Sequence, residues 1–233
     1  MRYMGSKAKL SKELVPIIQS YITDECNGYY EPFVGGANVI DKISCNIKVG
    51  ADTEYYVISC LDALGHGWDP PKEISEDLYK DIQRNKDKYD PELVGYVGYQ
   101  LSYGGKFFGG YRRDKIGKRD YCAEAYRYTY KQVPLLGGIK FLCRDYRETE
   151  DLSGYVIYCD PPYRNTTTYS TGKFDYDEFY EWCHKMAKNN IVLVSEYDMP
   201  DGFDCVYSKQ VKTCLDSNRK GGKERVEKLF ISR

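Results

Sequence analysis

Histidine is almost missing from this chain. His66 and His184 are the only two, neither stands at metal-ligand spacing, and no Cys-x-x-Cys pair occurs. A zinc site is therefore not expected, nor is any other metal. No apolar run approaches the roughly 18 residues that a membrane span requires. The first residues, Met1-Arg2-Tyr3-Met4-Gly5-Ser6-Lys7, are polar and hold no apolar signal core. A membrane partner is not expected either. An excess of one charge is also lacking, since a net charge of −1 gives no global electrostatic case for a polyanion. Nine cysteines make an odd count. Cys143, Cys159 and Cys205 fall in apolar, strand-like runs, which reads as reduced core thiols and a cytoplasmic location.

What is present fits an ordinary globule of 233 residues, with 42% hydrophobic and 30% charged side chains. That length suits one α/β domain carrying a sizeable insertion. The strongest local pattern is Gly154-Tyr155-Val156-Ile157-Tyr158-Cys159-Asp160-Pro161-Pro162-Tyr163. Its apolar run of β-formers reads as a buried strand. Two prolines then stop the ladder, because neither offers a backbone N–H. Asp160 and Tyr163 are thereby held at the carboxyl end of a strand, where open α/β sheets bind ligands. The Asp160 carboxylate and the Pro161 carbonyl can accept two hydrogen bonds from one amino group, and Tyr163 offers a ring face to a flat heterocycle.

Earlier in the chain, residues 9–23 read as an amphipathic helix with Ser6 as a candidate cap. A strand then leads into Glu31-Pro32-Phe33-Val34-Gly35-Gly36-Ala37-Asn38, followed by a helical stretch through Val39, Ile40 and Ile43. Strand, glycine turn and helix make the first half of a Rossmann-like unit. Asp52 ends the next strand and is placed to accept from ribose hydroxyls. No third glycine follows at dinucleotide spacing, which favours a smaller adenosyl ligand. A crossover helix is expected over 53–64, helices over 75–90, 92–101 and 121–131, and a strand over 139–143. Asp145 follows that strand; it can accept from an adenine amino group or pair with Arg144 or Arg147. A helix over 175–188 and strands at 190–195, 204–211 and 225–232 complete the chain.

Between Lys106 and Lys140 nine basic residues face three acidic ones, and tyrosines and phenylalanines are interleaved with them. That mixture suits a surface that tracks phosphates and stacks bases. Lys106, Arg112, Arg113, Lys118 and Arg119 are the candidate DNA contacts there. Asn165, beyond the tetrapeptide, and Ser217 and Asn218 in a basic loop join them. The glycine- and aromatic-rich stretch 103–113 reads as a mobile or ligand-shaped loop.

These motifs stand in the order found in the Dam-type family of DNA adenine methyltransferases, which the chain resembles over nearly its whole length: Tyr3-Met4-Gly5-Ser6-Lys7, Glu31-Pro32-Phe33-Val34-Gly35-Gly36, Asp52, Asp145, Asp160-Pro161-Pro162-Tyr163 and Ser217-Asn218. The resemblance implies a Rossmann-like α/β sheet, with residues 1–66 and 137–233 catalytic and 67–136 a mainly helical target-recognition insertion. It implies S-adenosylmethionine as donor, with Tyr3, Lys7, Phe33, Gly35, Asp52, Asp145 and Asp160 about its pocket. It implies duplex DNA as partner, and a flipped adenine methylated on N6 against Asp160, Pro161 and Tyr163 by a monomer or weak dimer. Ala37, where the family often has glycine, reads as a mild change because alanine is small. The tetrapeptide also serves the cytosine exocyclic amine, and a non-catalytic DNA-binding protein on the same scaffold is the rival from another class.

Overall fold

The structure is a computed structural model that describes residues 1–114, 116–149, 152–164, 174–213 and 223–233. Seven strands build one sheet: β1 (Gly28–Glu31), β2 (Lys48–Asp52), β3 (Ile139–Cys143), β4 (Tyr155–Cys159), β5 (Ile191–Glu196), β6 (Phe203–Thr213) and β7 (Lys223–Ser232). Their order is β3-β2-β1-β4-β5-β7-β6. The first five run parallel, and β7 is antiparallel to both of its neighbours. Chain order reverses between β1 and β4, so the sheet's switch point lies beside Asp160.

Alternation along the strands divides the core into two faces. Tyr29, Val156, Tyr158, Leu193 and Leu229 point to one side; Tyr30, Ile157, Cys159, Val192, Val194 and Phe230 point to the other. The first face is covered by α1 (Ser11–Ser20), α2 (Tyr55–Gly65), α3 (Glu76–Arg84), α4 (Pro91–Gln100) and α5 (Tyr121–Leu136). The second is covered by α6 (Tyr176–Ala187), whose Phe179, Trp182, Cys183 and Met186 recur at helical spacing and are buried. From residues 67–136, Tyr79, Ile82, Val94, Val97 and Leu136 share one apolar cluster with Val57 and Leu61 of α2. No helix among the described residues is long and apolar enough to cross a membrane.

Three expectations need correction. The helix foreseen after the glycine turn is only a 3-10 turn, Ile40–Lys42. Its carbonyls find other donors: the Gln132 side-chain amide of α5 reaches Gly36 O and Ala37 O at 3.1 and 3.0 Å, so no helical ladder is needed there. Cys143 and Cys205 are not core thiols; both are exposed, because β3 and β6 are the two edge strands, whereas Cys159 on central β4 is buried. Finally, Ala37 has a φ of +55°. Its departure from glycine costs on the order of 1 kcal/mol through the backbone, not through size.

Candidate active site

Each of the five parallel strands delivers an acid at or just past its carboxyl end. Across the sheet they are Asp145, Asp52, Glu31, Asp160 and Glu196. Backbone amides, a lysine and an arginine, rather than other acids, hold most of this row in place.

The Asp160 turn is braced from three sides. Tyr176 Oη donates to Pro162 O at 3.0 Å, and the Arg164 amide donates to Glu196 Oε2 at 3.1 Å. Tyr163 is buried, and its hydroxyl donates to Glu227 Oε2 at 2.8 Å. Burial, and then the charges of Asp160 and Glu227, push this phenol well above its ordinary range, so it stays a donor. The edge of Tyr197 packs on the Tyr163 ring at 4.6 Å between centroids. Lys7 approaches from the amino-terminal segment. Its Nζ lies 2.9 Å from Asp160 Oδ1, 3.8 Å from Glu227 Oε2 and 4.3 Å from the Tyr163 ring centroid. Burial by itself would discharge this ammonium; Asp160 and Glu227 outweigh burial and hold its pKa above the ordinary lysine value.

The glycine turn is anchored to β2. Val34 N donates to Ala51 O at 2.8 Å and Gly35 N to Asp52 Oδ2 at 3.0 Å, while Glu54 N takes Asp52 Oδ1 at 3.0 Å. Burial pushes the Asp52 carboxyl up to about 6 against the pull of those amides. Gly35 has a φ of +47°, and a Cβ there would meet the Tyr3 ring at 2.9 Å. The Tyr3 ring thus lies against the turn, with Tyr99 of α4 beside it at 5.2 Å between centroids. The loop after α4 reaches the same segment: Met4 N donates to Gly105 O at 3.0 Å, and a Cβ on Gly105 would lie 2.7 Å from Tyr3 N.

The fold therefore brings Tyr3, Gly35 and Asp52 together, and Lys7, Asp160 and Tyr163 together, at the ends of neighbouring strands. Phe33, half-buried two residues before Gly35, packs on Tyr146, Phe174 and Phe179. Asp145 takes one of its two expected roles, receiving Arg147 Nε and Nη2 at 2.8 and 2.7 Å.

The candidate DNA contacts divide. Lys106, Lys118 and Arg119 are exposed, and Arg113 is exposed but paired with Glu76 at 2.9 Å. Arg112 is a correction: it is 8% exposed, bonds Glu124 at 3.1 Å and lies 4.2 Å over the Tyr121 ring. A cation so enclosed braces α5 rather than meeting a phosphate. Asn165, Ser217 and Asn218 lie outside the described residues.

Sequence reasoning missed Glu196, Glu227 and Gln132. Glu196 carried a usable signal, an acid ending a valine-rich strand, as Asp52 does. Glu227 carried none, because its facing depends on the antiparallel pairing of β7 with β5 and β6.

The sheet order, with five parallel strands and a row of acids at their carboxyl ends, defines the class: a Rossmann-like α/β fold with its ligand side at those strand ends. Residues 3–100 match the family model described as D12 class N6 adenine-specific DNA methyltransferase, a span from Tyr3 through the glycine turn and Asp52 to the end of α4. The Asp160 tetrapeptide lies beyond it. Among curated proteins the chain is similar to the type II methyltransferase M.FokI of Planomicrobium okeanokoites, at 22% identity over 203 residues. That match covers 74% of this chain and spans 30% of the relative's length. Among solved structures it is similar to the rRNA methyltransferase aviRa from Streptomyces viridochromogenes, with a TM-score of 0.47 and 9% identity, covering 97% of this chain and 84% of that one.

Proposed function

We infer that this chain is a D12-class adenine methyltransferase that moves a methyl group from S-adenosylmethionine to N6 of an adenine flipped out of DNA. The observation that carries the reading is the braced turn at the end of β4, with the Asp160 carboxylate engaged by a nitrogen cation above the Tyr163 ring. The family match over residues 3–100 supports the substrate class.

The donor pocket is assigned to the first three strands. Asp52 fits a ribose: it is half-buried at its strand end, and its oxygens keep lone pairs beyond the backbone amides that hold them. Gly35 and Tyr3 form the adjoining wall, and Asp145 stands at the next strand end. A bound sulfonium supplies an electrophilic methyl carbon, and the transfer breaks its C–S bond, leaves the electron pair on sulfur and forms the N–C bond.

The chain's residues make the nucleophile. An adenine amine is weak because its lone pair is delocalised into the ring. Asp160 and the Pro161 carbonyl accept its two hydrogens and turn the lone pair toward the methyl group, and Asp160 then receives the proton the nitrogen sheds. Tyr163 replaces part of the stacking the base gives up on leaving the duplex. Exposed Lys106, Arg113, Lys118 and Arg119 are assigned to backbone phosphates.

Labelled-methyl transfer to unmethylated DNA, with nucleoside analysis of the product, tests this. Asp160→Ala is expected to abolish formation of N6-methyladenine while S-adenosylhomocysteine still binds within a few-fold of wild type. Unimpaired turnover by that variant, or a product methylated on cytosine, refutes the assignment.

A further inference from the structure

We propose that Lys7 is a placeholder for the target amine: in the free enzyme its ammonium occupies the acceptor position, and it moves onto Glu227 when a base enters. The inference rests on the reading of Asp160 and Tyr163 just given, and it adds a residue to that reaction's entry step.

The geometry requires a displacement. An exocyclic amine held by Asp160 lies about 2.7–3.2 Å from a carboxylate oxygen, with its ring stacked on Tyr163. Lys7 Nζ already sits 2.9 Å from Asp160 Oδ1 and 4.3 Å from the Tyr163 centroid. A nitrogen cation on the same carboxylate and over the same ring stands where the target amine would bind. Lys7 is itself buried, so leaving Asp160 requires another anion to take its charge.

A landing point exists. Glu227 Oε2 is 3.8 Å from Lys7 Nζ, just beyond a direct hydrogen bond, and its present donor is the Tyr163 hydroxyl at 2.8 Å. A short swing carries the ammonium from Asp160 to Glu227. The buried lysine then keeps an anion, and Asp160 is released with its charge intact. Without this second carboxylate, base entry would strand a buried ammonium with no counter-ion. Lys7 thereby serves as a positioning residue that keeps Asp160 ionised and the pocket filled until an amine replaces it.

Steady-state transfer to unmethylated DNA and calorimetric binding of S-adenosylhomocysteine separate this from a donor-binding role. Lys7→Met empties the acceptor position. It is expected to lower KM for DNA at least fivefold. Glu227→Gln removes the landing point and is expected to raise KM for DNA by a similar factor. S-adenosylhomocysteine affinity should stay within twofold in both. KM values for DNA that stay fixed or move in the same direction, or a Lys7→Met defect confined to donor binding, overturn the proposal.

A second arm needs neither variant nor turnover. With S-adenosylhomocysteine saturating the donor side, millimolar adenosine should shift the protected 15N resonance of the Lys7 ammonium in the wild-type chain; an unmoved resonance overturns the proposal. Failure of the wild type to methylate any DNA would instead remove the methyltransferase reading, and the resonance would still report on Lys7.

Discussion

Gln132 is the side chain through which α5 holds the glycine turn, and replacing it by methionine isolates that role. Its amide nitrogen lies 3.1 Å from Gly36 O, 3.0 Å from Ala37 O and 2.9 Å from Asp41 Oδ2. An amide NH₂ carries only two hydrogens, so it supplies two full bonds among three acceptors. One is neutral, worth about 1 kcal/mol, and one goes to a carboxylate, worth about 1.5–3 kcal/mol. Methionine matches glutamine in length and volume and donates nothing, so packing is preserved; Gly36 O keeps the Met1 amine and Asp41 keeps Lys42, while Ala37 O loses its side-chain donor and the Met1 amine loses the Gln132 carbonyl. Gln132→Met should therefore cost about 3 kcal/mol, a fall in Tm of roughly 6–12 °C for a chain of this size. Thermal unfolding followed by circular dichroism reads the first quantity. Titration with S-adenosylhomocysteine reads a second, since the loosened turn is the one that meets Asp52, and affinity should drop several-fold. A Tm within about 2 °C of wild type would refute the claim that α5 holds this loop.

Four further outcomes are expected. Burial pushes Glu196 up to about 7 against the Tyr197 and Arg164 amides that pull it down. A raised acid contributes stability that is whole below its unfolded value and lost as pH rises through its folded one, here about 3 kcal/mol between roughly pH 4.5 and 7. Glu196→Gln should gain that much on wild type between pH 4.5 and 8 in denaturant titrations, and parallel pH curves would count against it. Arg112→Ala should destabilise by about 2–4 kcal/mol, because Glu124 and Tyr121 lose their buried cation. By contrast, a Lys106→Ala, Lys118→Ala, Arg119→Ala triple variant should keep its Tm and lower the salt slope of DNA binding by about 3; an unchanged slope removes those side chains from the phosphate path. Ala37→Gly should change stability by less than about 1 kcal/mol, as relief at φ +55° is offset by a lost methyl and a freer unfolded chain. A gain well above 1 kcal/mol in urea unfolding would show that the strain was larger.

Much of the fold was legible in the chain because its signals are local. The run Tyr155–Cys159 followed by two prolines forms β4 and its stop, and the helical spacing of Phe179, Trp182, Cys183 and Met186 forms α6. Strand-end acids were equally legible, and the same signal would have found Glu196. The helix expected past Gly36 failed for a non-local reason: Gln132, almost a hundred residues on, satisfies the carbonyls that a helix would have used. Arg112 failed in the same way. A run of cations reads as a solvated face, and nothing in it says which member turns inward to meet Glu124.

By itself the sequence determined the strands, the glycine turn and the placing of Asp52 and Asp160 at strand ends, since periodicity, proline and glycine act within a few residues. Only the tertiary structure decided what those acids meet. Lys7 against Asp160, Glu227 beneath Tyr163 and Tyr3 on Gly35 each join segments that chain order leaves apart. A charge's partner is set by distances of a few ångström in three dimensions, and such distances are created only when the sheet is assembled.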